Sequence, residues 1–190
     1  MAKQLLKMEG ITKIYDNGFM ANEDVTFEVA EGEIHALIGE NGAGKTTFMK
    51  VLTGLLYPTS GDFTLFGKSI PSDILEMRRH IGSTIEAPAI YPEYSAYRNL
   101  EIQRILIGNP DKEICDKLLT MVGLDGVRDK KVKKFSMGMK QRLSIAMALV
   151  GKPRLIILDE PINGLDPKNI SDLRNLLKKL NEENELPPKS

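Results

Sequence analysis

Val25, Phe27 and Val29 stand two residues apart, and with Ile11 and Ile14 before them they predict short antiparallel strands joined near Asp16-Asn17-Gly18. The next apolar stretch is continuous. Ile34-His35-Ala36-Leu37-Ile38 runs up to Gly39, a glycine-rich loop follows, and Phe48, Met49, Val51 and Leu52 come after it, so the predicted order is strand, loop, helix. Tyr57-Pro58-Thr59-Ser60-Gly61 reads as a turn, and Phe63-Thr64-Leu65-Phe66 as a further strand of the same small β layer, closed by Gly67. From Ile74 to Val150 the pattern is mostly helical, with apolar positions three and four apart at Leu118, Leu119 and Val122 and again at Leu143, Ala146, Met147 and Val150. Pro88, Pro92 and Pro110 break it into pieces. Leu155-Ile156-Ile157-Leu158 is apolar throughout, as a strand buried on both faces of a parallel sheet is. A helix is predicted from about Lys168 to Leu180, and Leu186 to Ser190 read as a loose tail.

Composition narrows the class. The chain has 190 residues, 42% hydrophobic and 27% charged, a length and balance that allow a sizeable core and exclude a largely disordered protein. No apolar run approaches the ~18–20 residues needed to cross a bilayer. The N-terminus lacks a secretory signal and Cys115 is the single cysteine, so the expectation is a cytoplasmic protein. The 26 basic and 26 acidic side chains cancel, which leaves no electrostatic footprint for nucleic acid, and none is expected as a partner. The basic run Lys130-Lys131-Val132-Lys133-Lys134 reads as a solvated loop.

Chemistry enters at Gly39-Glu40-Asn41-Gly42-Ala43-Gly44-Lys45-Thr46, which fits G-x-x-x-x-G-K-[ST] between a predicted strand and a predicted helix. Glycines let backbone N–H groups wrap phosphate oxygens, and the helix that opens near Lys45 points its positive end at the same anion. Lys45 would reach the β- and γ-phosphates, and Thr46 would offer its hydroxyl to Mg²⁺. The alternative is a glycine turn that merely opens a helix. The apolar run 155–158 ends at Asp159-Glu160, where the carboxyl ends of parallel strands bind ligands. Asp159 can hold the Mg²⁺, directly or through water, and Glu160 is placed to orient or deprotonate an attacking water. An acidic strand end facing solvent is the alternative; with the phosphate loop present, nucleoside triphosphate hydrolysis is the leading reading.

Phe135-Ser136-Met137-Gly138-Met139-Lys140-Gln141-Arg142 adds a third motif. With it the chain resembles the ATP-binding subunit of ABC transporters, whose signature is Leu-Ser-Gly-Gly-Gln: Ser136 and Gly138 are kept, while Phe135, Met137 and Met139 depart from it. The serine hydroxyl and the N–H groups at the start of an amphipathic helix still make an anion site. The resemblance implies that Ser136, Gly138 and Met139 of one chain cap the ATP held by Gly39 to Thr47 of another, in a homodimer or a heterodimer with a second ABC ATPase. It implies that Tyr15 stacks on adenine, that Asn163-Gly164-Leu165-Asp166 is the D-loop touching the opposite protomer, and that Glu86 stands where the family has a glutamine sensing Mg²⁺ and the transmembrane partner. The stretch Ile85 to Leu100 and the signature wording resemble the bacterial bacitracin and lantibiotic self-protection subgroup.

The resemblance implies an α/β fold: a mostly parallel core sheet carrying the phosphate loop, an antiparallel β subdomain, and an inserted helical subdomain. Residues 1–190 form one ABC ATPase domain on this reading, with 1–85 and 151–180 as nucleotide-binding core, 86–150 as helical subdomain with the signature, and 181–190 as tail. ATP and Mg²⁺ are the implied ligands, and a separate transmembrane permease the implied partner, with the chain peripheral at the inner face of the membrane. The family's switch histidine has no match, since the chain has only His35 and His80. The sequence therefore reads as incomplete at its C-terminus, and the expectation is a chain that binds Mg-ATP but hydrolyses it poorly by itself.

Overall fold

Alternation builds the first sheet. In β1 (Gln4–Ile14) Leu6, Met8 and Ile11 are fully buried, standing two and then three apart because a register shift falls between Met8 and Ile11, and Leu5 is buried beside them. β1 pairs antiparallel with β2 (Met20–Ala30) on one side and with β3 (Ser60–Leu65) on the other. Met8 lies opposite both Phe27 and Phe63. β4 (Lys68–Ile70), which the alternation did not announce, completes the order β2-β1-β3-β4. The computed structural model describes residues 3–70, 74–85 and 90–182, and these divide into two units, Met1–Arg78 and Arg79–Ser190.

In the first unit, α1 (Lys45–Leu52) buries Phe48, Met49, Val51 and Leu52, and the Phe48 ring meets Phe27 of β2 edge-on at 5.6 Å between centroids. Arg78, at the end of α2 (Ile74–Arg78), donates to the Thr53 and Gly54 carbonyls at the end of α1, as cations near helix C-termini do. The predicted strand 34–38 does not form. Among the described residues nothing pairs with it in a ladder, and a strand exists only by its ladder. Its apolar side chains stay exposed, Ile38 at 94% and Ile34 at 59%.

The second unit is mainly helical. α3 (Ala96–Leu106), α4 (Ile114–Met121), α5 (Met137–Leu149) and α6 (Pro167–Glu182) pack Leu100, Leu118, Leu119, Leu143, Ile145 and Leu173 into one core. Ser95 and Ser136 cap α3 and α5, each accepting a backbone N–H from three residues on. Fully buried Asn99 takes the Tyr91 N–H and donates to the Tyr91 and Ser95 carbonyls, which fixes the chain entering α3. Within the stretch predicted as mostly helical stands a strand, β5 (Ile81–Thr84), parallel to β6 (Leu155–Leu158) in register from Ile81↔Leu155 to Thr84↔Leu158. Ile81-Gly82-Ser83-Thr84 is too short and mixed to show a period; its pairing with β6 makes it a strand. In the basic run Val132 is buried, while Lys131 and Lys133 reach Glu93 at 3.6 and 3.0 Å.

Candidate nucleotide-binding site

Candidate residues occur in both units. In the first, residues 39–44 form an irregular loop whose last residue, Gly44, is the N-cap of α1. Gly42 and Gly44 sit in the left-handed region at φ 86° and 82°, which a side chain would strain. At Gly44 a Cβ would also stand 2.1 Å from the Ala21 carbonyl oxygen and 2.7 Å from Asn22 Nδ2. The Ala43 N–H closes a turn on the Glu40 carbonyl at 3.1 Å. Lys45 Nζ donates to the carbonyls of Gly39 at 2.7 Å and Glu40 at 2.8 Å, so the ammonium is held over the loop that precedes it. The first turn of α1 holds no acidic residue. A positive helix end, a lysine and glycine backbone thus meet in one loop, which suits a polyanion.

Tyr15 follows the end of β1, and its hydroxyl lies 3.2 Å from Thr47 Oγ1, which ties the ring to the start of α1. Phe19 stacks on it at 6.3 Å between centroids and Lys13 Nζ sits 5.6 Å from the ring centre. Thr46 lies half-buried in the first turn of α1. Asn22 of β2, which sequence reasoning did not single out, donates from Nδ2 to the Gly44 carbonyl at 3.2 Å.

In the second unit, the Asp159 N–H donates to the Thr84 carbonyl at 2.9 Å and so carries the β5–β6 pairing one residue past β6. Asp159 is half-buried; Glu160 is exposed, with backbone at φ 44°, a conformation rare for a side chain of this kind. Such strain is common where a side chain must be aimed. The Glu160 carboxylate accepts from Asn163 Nδ2 at 3.0 Å, and the Asn163 N–H closes a turn on the Glu160 carbonyl at 3.1 Å. Asp166 caps α6: it accepts the Asn169 N–H at 2.8 Å and Asn169 Nδ2 at 2.7 Å, and those bonds hold its carboxyl below the usual carboxylate range. Ser136 Oγ accepts the Met139 N–H at 3.3 Å at the start of α5, with Met139 half-buried and Met137 exposed. A Cβ on Gly138 would stand 2.8 Å from Asn169 Oδ1, so Asn169 ties the start of α5 to the start of α6. The structure therefore brings Gly138 and Asp166 to the same asparagine, a residue whose only signal in the sequence was its place three past Asp166. Glu86 lies outside the described residues.

Comparison with known proteins gives the family. A sequence model described as "ABC transporter" matches residues 22–163. The chain belongs to the ABC transporter family. It is 43% identical over 180 residues to the bacitracin transport ATP-binding protein BcrA of Enterococcus faecalis, an alignment covering 95% of this chain and 58% of that protein. To the lantibiotic transport ATP-binding protein SrtF of Streptococcus pyogenes it is 42% identical over 94% of its length and 76% of that protein's. Among solved structures, cbiO1 of Clostridium perfringens, part of the ABC transporter complex cbiONQ, superposes with a TM-score of 0.86 at 29% identity, covering 97% of this chain and 76% of that one. The ATP-binding cassette MJ0796, a dimer in a post-hydrolysis state bound to ADP and phosphate, gives 0.83 at 28% identity over 95% and 84% of the two chains. This ABC chain thus spans 58% of the length of BcrA. The antiparallel β layer, the phosphate loop and the helical region have the architecture of ABC cassettes. No described helix is long and apolar enough to cross a membrane.

The residues fit Mg-ATP. The phosphate loop is shaped by positive-φ glycines and backed by a lysine. A magnesium ion in such a site takes most of its oxygens from phosphate and water, so one hydroxyl and one carboxylate from the protein suffice.

Proposed function

We propose that this chain is the ATP-binding and ATP-hydrolysing subunit of a membrane ABC transporter that exports, or protects against, peptide antibiotics. The observation that carries the reading is the phosphate loop, with glycines at φ 86° and 82° and Lys45 held over it by two carbonyls. The kinship with BcrA and SrtF supports the cargo class.

On this reading Gly39, Glu40, Asn41, Gly42, Ala43 and Gly44 wrap the phosphates with their backbone, and Lys45 neutralises the β- and γ-oxygens. Thr46 and Asp159 would hold Mg²⁺, with Glu86 as a further ligand, and the bound ion would supply positive charge against the phosphate oxygens. Tyr15 stacks on the adenine, and Thr47 steadies it through the hydroxyl contact. Glu160 orients or deprotonates the attacking water from a strand end that the β5–β6 ladder fixes. Ser136, Gly138, Met139 and Asp166 face the nucleotide of a second protomer, as the dimeric state of MJ0796 suggests. Residues 1–85 and 151–180 serve as nucleotide core, 86–150 as helical subdomain and 181–190 as tail. Closure and opening of the pair drive a separate permease at the inner face of the membrane.

Glu160→Gln tests the catalytic assignment. It keeps Mg-ATP binding and lowers phosphate release at least about a hundredfold, the scale of losing a positioned general base; rapid release by Glu160→Gln, equal to that of a natural chain that turns over, would overturn it. One observation favours a second reading, a chain that holds ATP but turns it over slowly by itself: the segment feeding the phosphate loop, 34–38, has no ladder partner among the described residues. Phosphate release by the chain alone at the level of Glu160→Gln, with ATP bound, would select that reading.

A further inference from the structure

The geometry points to Asn22 as a positioning residue that sets the direction of the phosphate loop, an inference that rests on residues 39–47 holding the ATP phosphates. Asn22 lies on β2 and is only 8% exposed. Its Nδ2 donates to the Gly44 carbonyl at 3.2 Å, and the same carbonyl accepts the Phe48 N–H at 2.8 Å, the first helical bond of α1. Both acceptor positions of that oxygen are therefore filled from the side of β2 and α1. A trans peptide is planar, with its C=O and the following N–H pointing opposite ways. Fixing the Gly44 carbonyl thus turns the Lys45 N–H the other way, toward the loop that precedes it. The approach is close: a Cβ at Gly44 would meet the Ala21 carbonyl at 2.1 Å and Asn22 Nδ2 at 2.7 Å.

Stability alone does not account for an amide here. Asn22 Oδ1 is buried and accepts no hydrogen bond among the described residues, and a buried acceptor without a donor is destabilising. An apolar side chain would remove that penalty and also remove the Nδ2 donor on the Gly44 carbonyl. Asn22 therefore trades fold stability for loop geometry, and the two effects are separable by mutation.

The test measures Mg-ATP affinity and the nucleotide-free thermal midpoint of the whole chain, of Asn22→Leu and Asn22→Asp, and of Lys45→Ala. Asn22→Leu is expected to bind Mg-ATP about five- to tenfold more weakly, the scale of one lost hydrogen bond, while its midpoint holds or rises. Asn22→Asp keeps the shape but has no N–H to donate, and is expected to weaken binding at least as much, so the result does not depend on one variant folding. Affinity within about twofold of the natural chain in both variants overturns the proposal. Affinity and midpoint falling together in both also overturns it, because Asn22 would then be structural only. If the natural chain binds no better than Lys45→Ala, the phosphate-loop reading fails and this proposal falls with it; binding that Lys45→Ala alone loses sinks only the Asn22 role.

Discussion

Gly44 is at once helix cap, left-handed residue and the point where β2 touches the phosphate loop. Alanine there must strain its backbone and push against the Ala21 carbonyl, which cannot move without the strand. Gly44→Ala is expected to destabilise the first unit by about 1–3 kcal/mol and to abolish measurable Mg-ATP binding, read by thermal melting and titration. Asp166 offers a pH signature. Hydrogen bonds from Asn169 lower its carboxyl pKa in the folded chain, so its capping is fully present above the ordinary carboxylate pKa and is lost as pH falls through the lower folded value. Asp166→Asn is expected to flatten the acid limb of the melting curve below about pH 4; an unchanged limb would count against the capping role. Lys45, Thr46 and Glu160 could be singled out as candidates because their motifs are contiguous. Asn22 could not, since its partner Gly44 lies twenty-two residues away and an isolated asparagine in a strand carries no pattern.

Elements were legible where local periodicity set them. β2, β3, β6, α5 and α6 follow alternation, a continuous apolar run or helical spacing. β5 escaped because four mixed residues show no period, and 34–38 was read as a strand because its side chains are apolar although no ladder partner stands beside it among the described residues. Two elements also carry avoidable penalties. Ser144 in α5 and Thr84 in β5 are buried with hydroxyls that find no partner among the described residues. Ser144→Ala and Thr84→Val are each expected to raise stability by about 1 kcal/mol in denaturant unfolding of the chain. A loss of similar size in both would mean that the hydroxyls are satisfied in solution.

On the scale of the whole molecule, the sequence motifs divide between the two units. The phosphate loop and Tyr15 belong to Met1–Arg78, and the acidic pair, the signature and the D-loop to Arg79–Ser190. The first unit makes the sharper claim: a glycine loop proposed to take ATP phosphates, with the Lys45 ammonium held on its Gly39 and Glu40 carbonyls. Titrating Mg-ATP into the natural chain and into Lys45→Ala tests that claim most directly. The account predicts saturable binding by the natural chain that falls at least about tenfold in Lys45→Ala, the scale of losing a charge-assisted contact to phosphate. Equal binding by the two chains, or none by the natural chain, would contradict it.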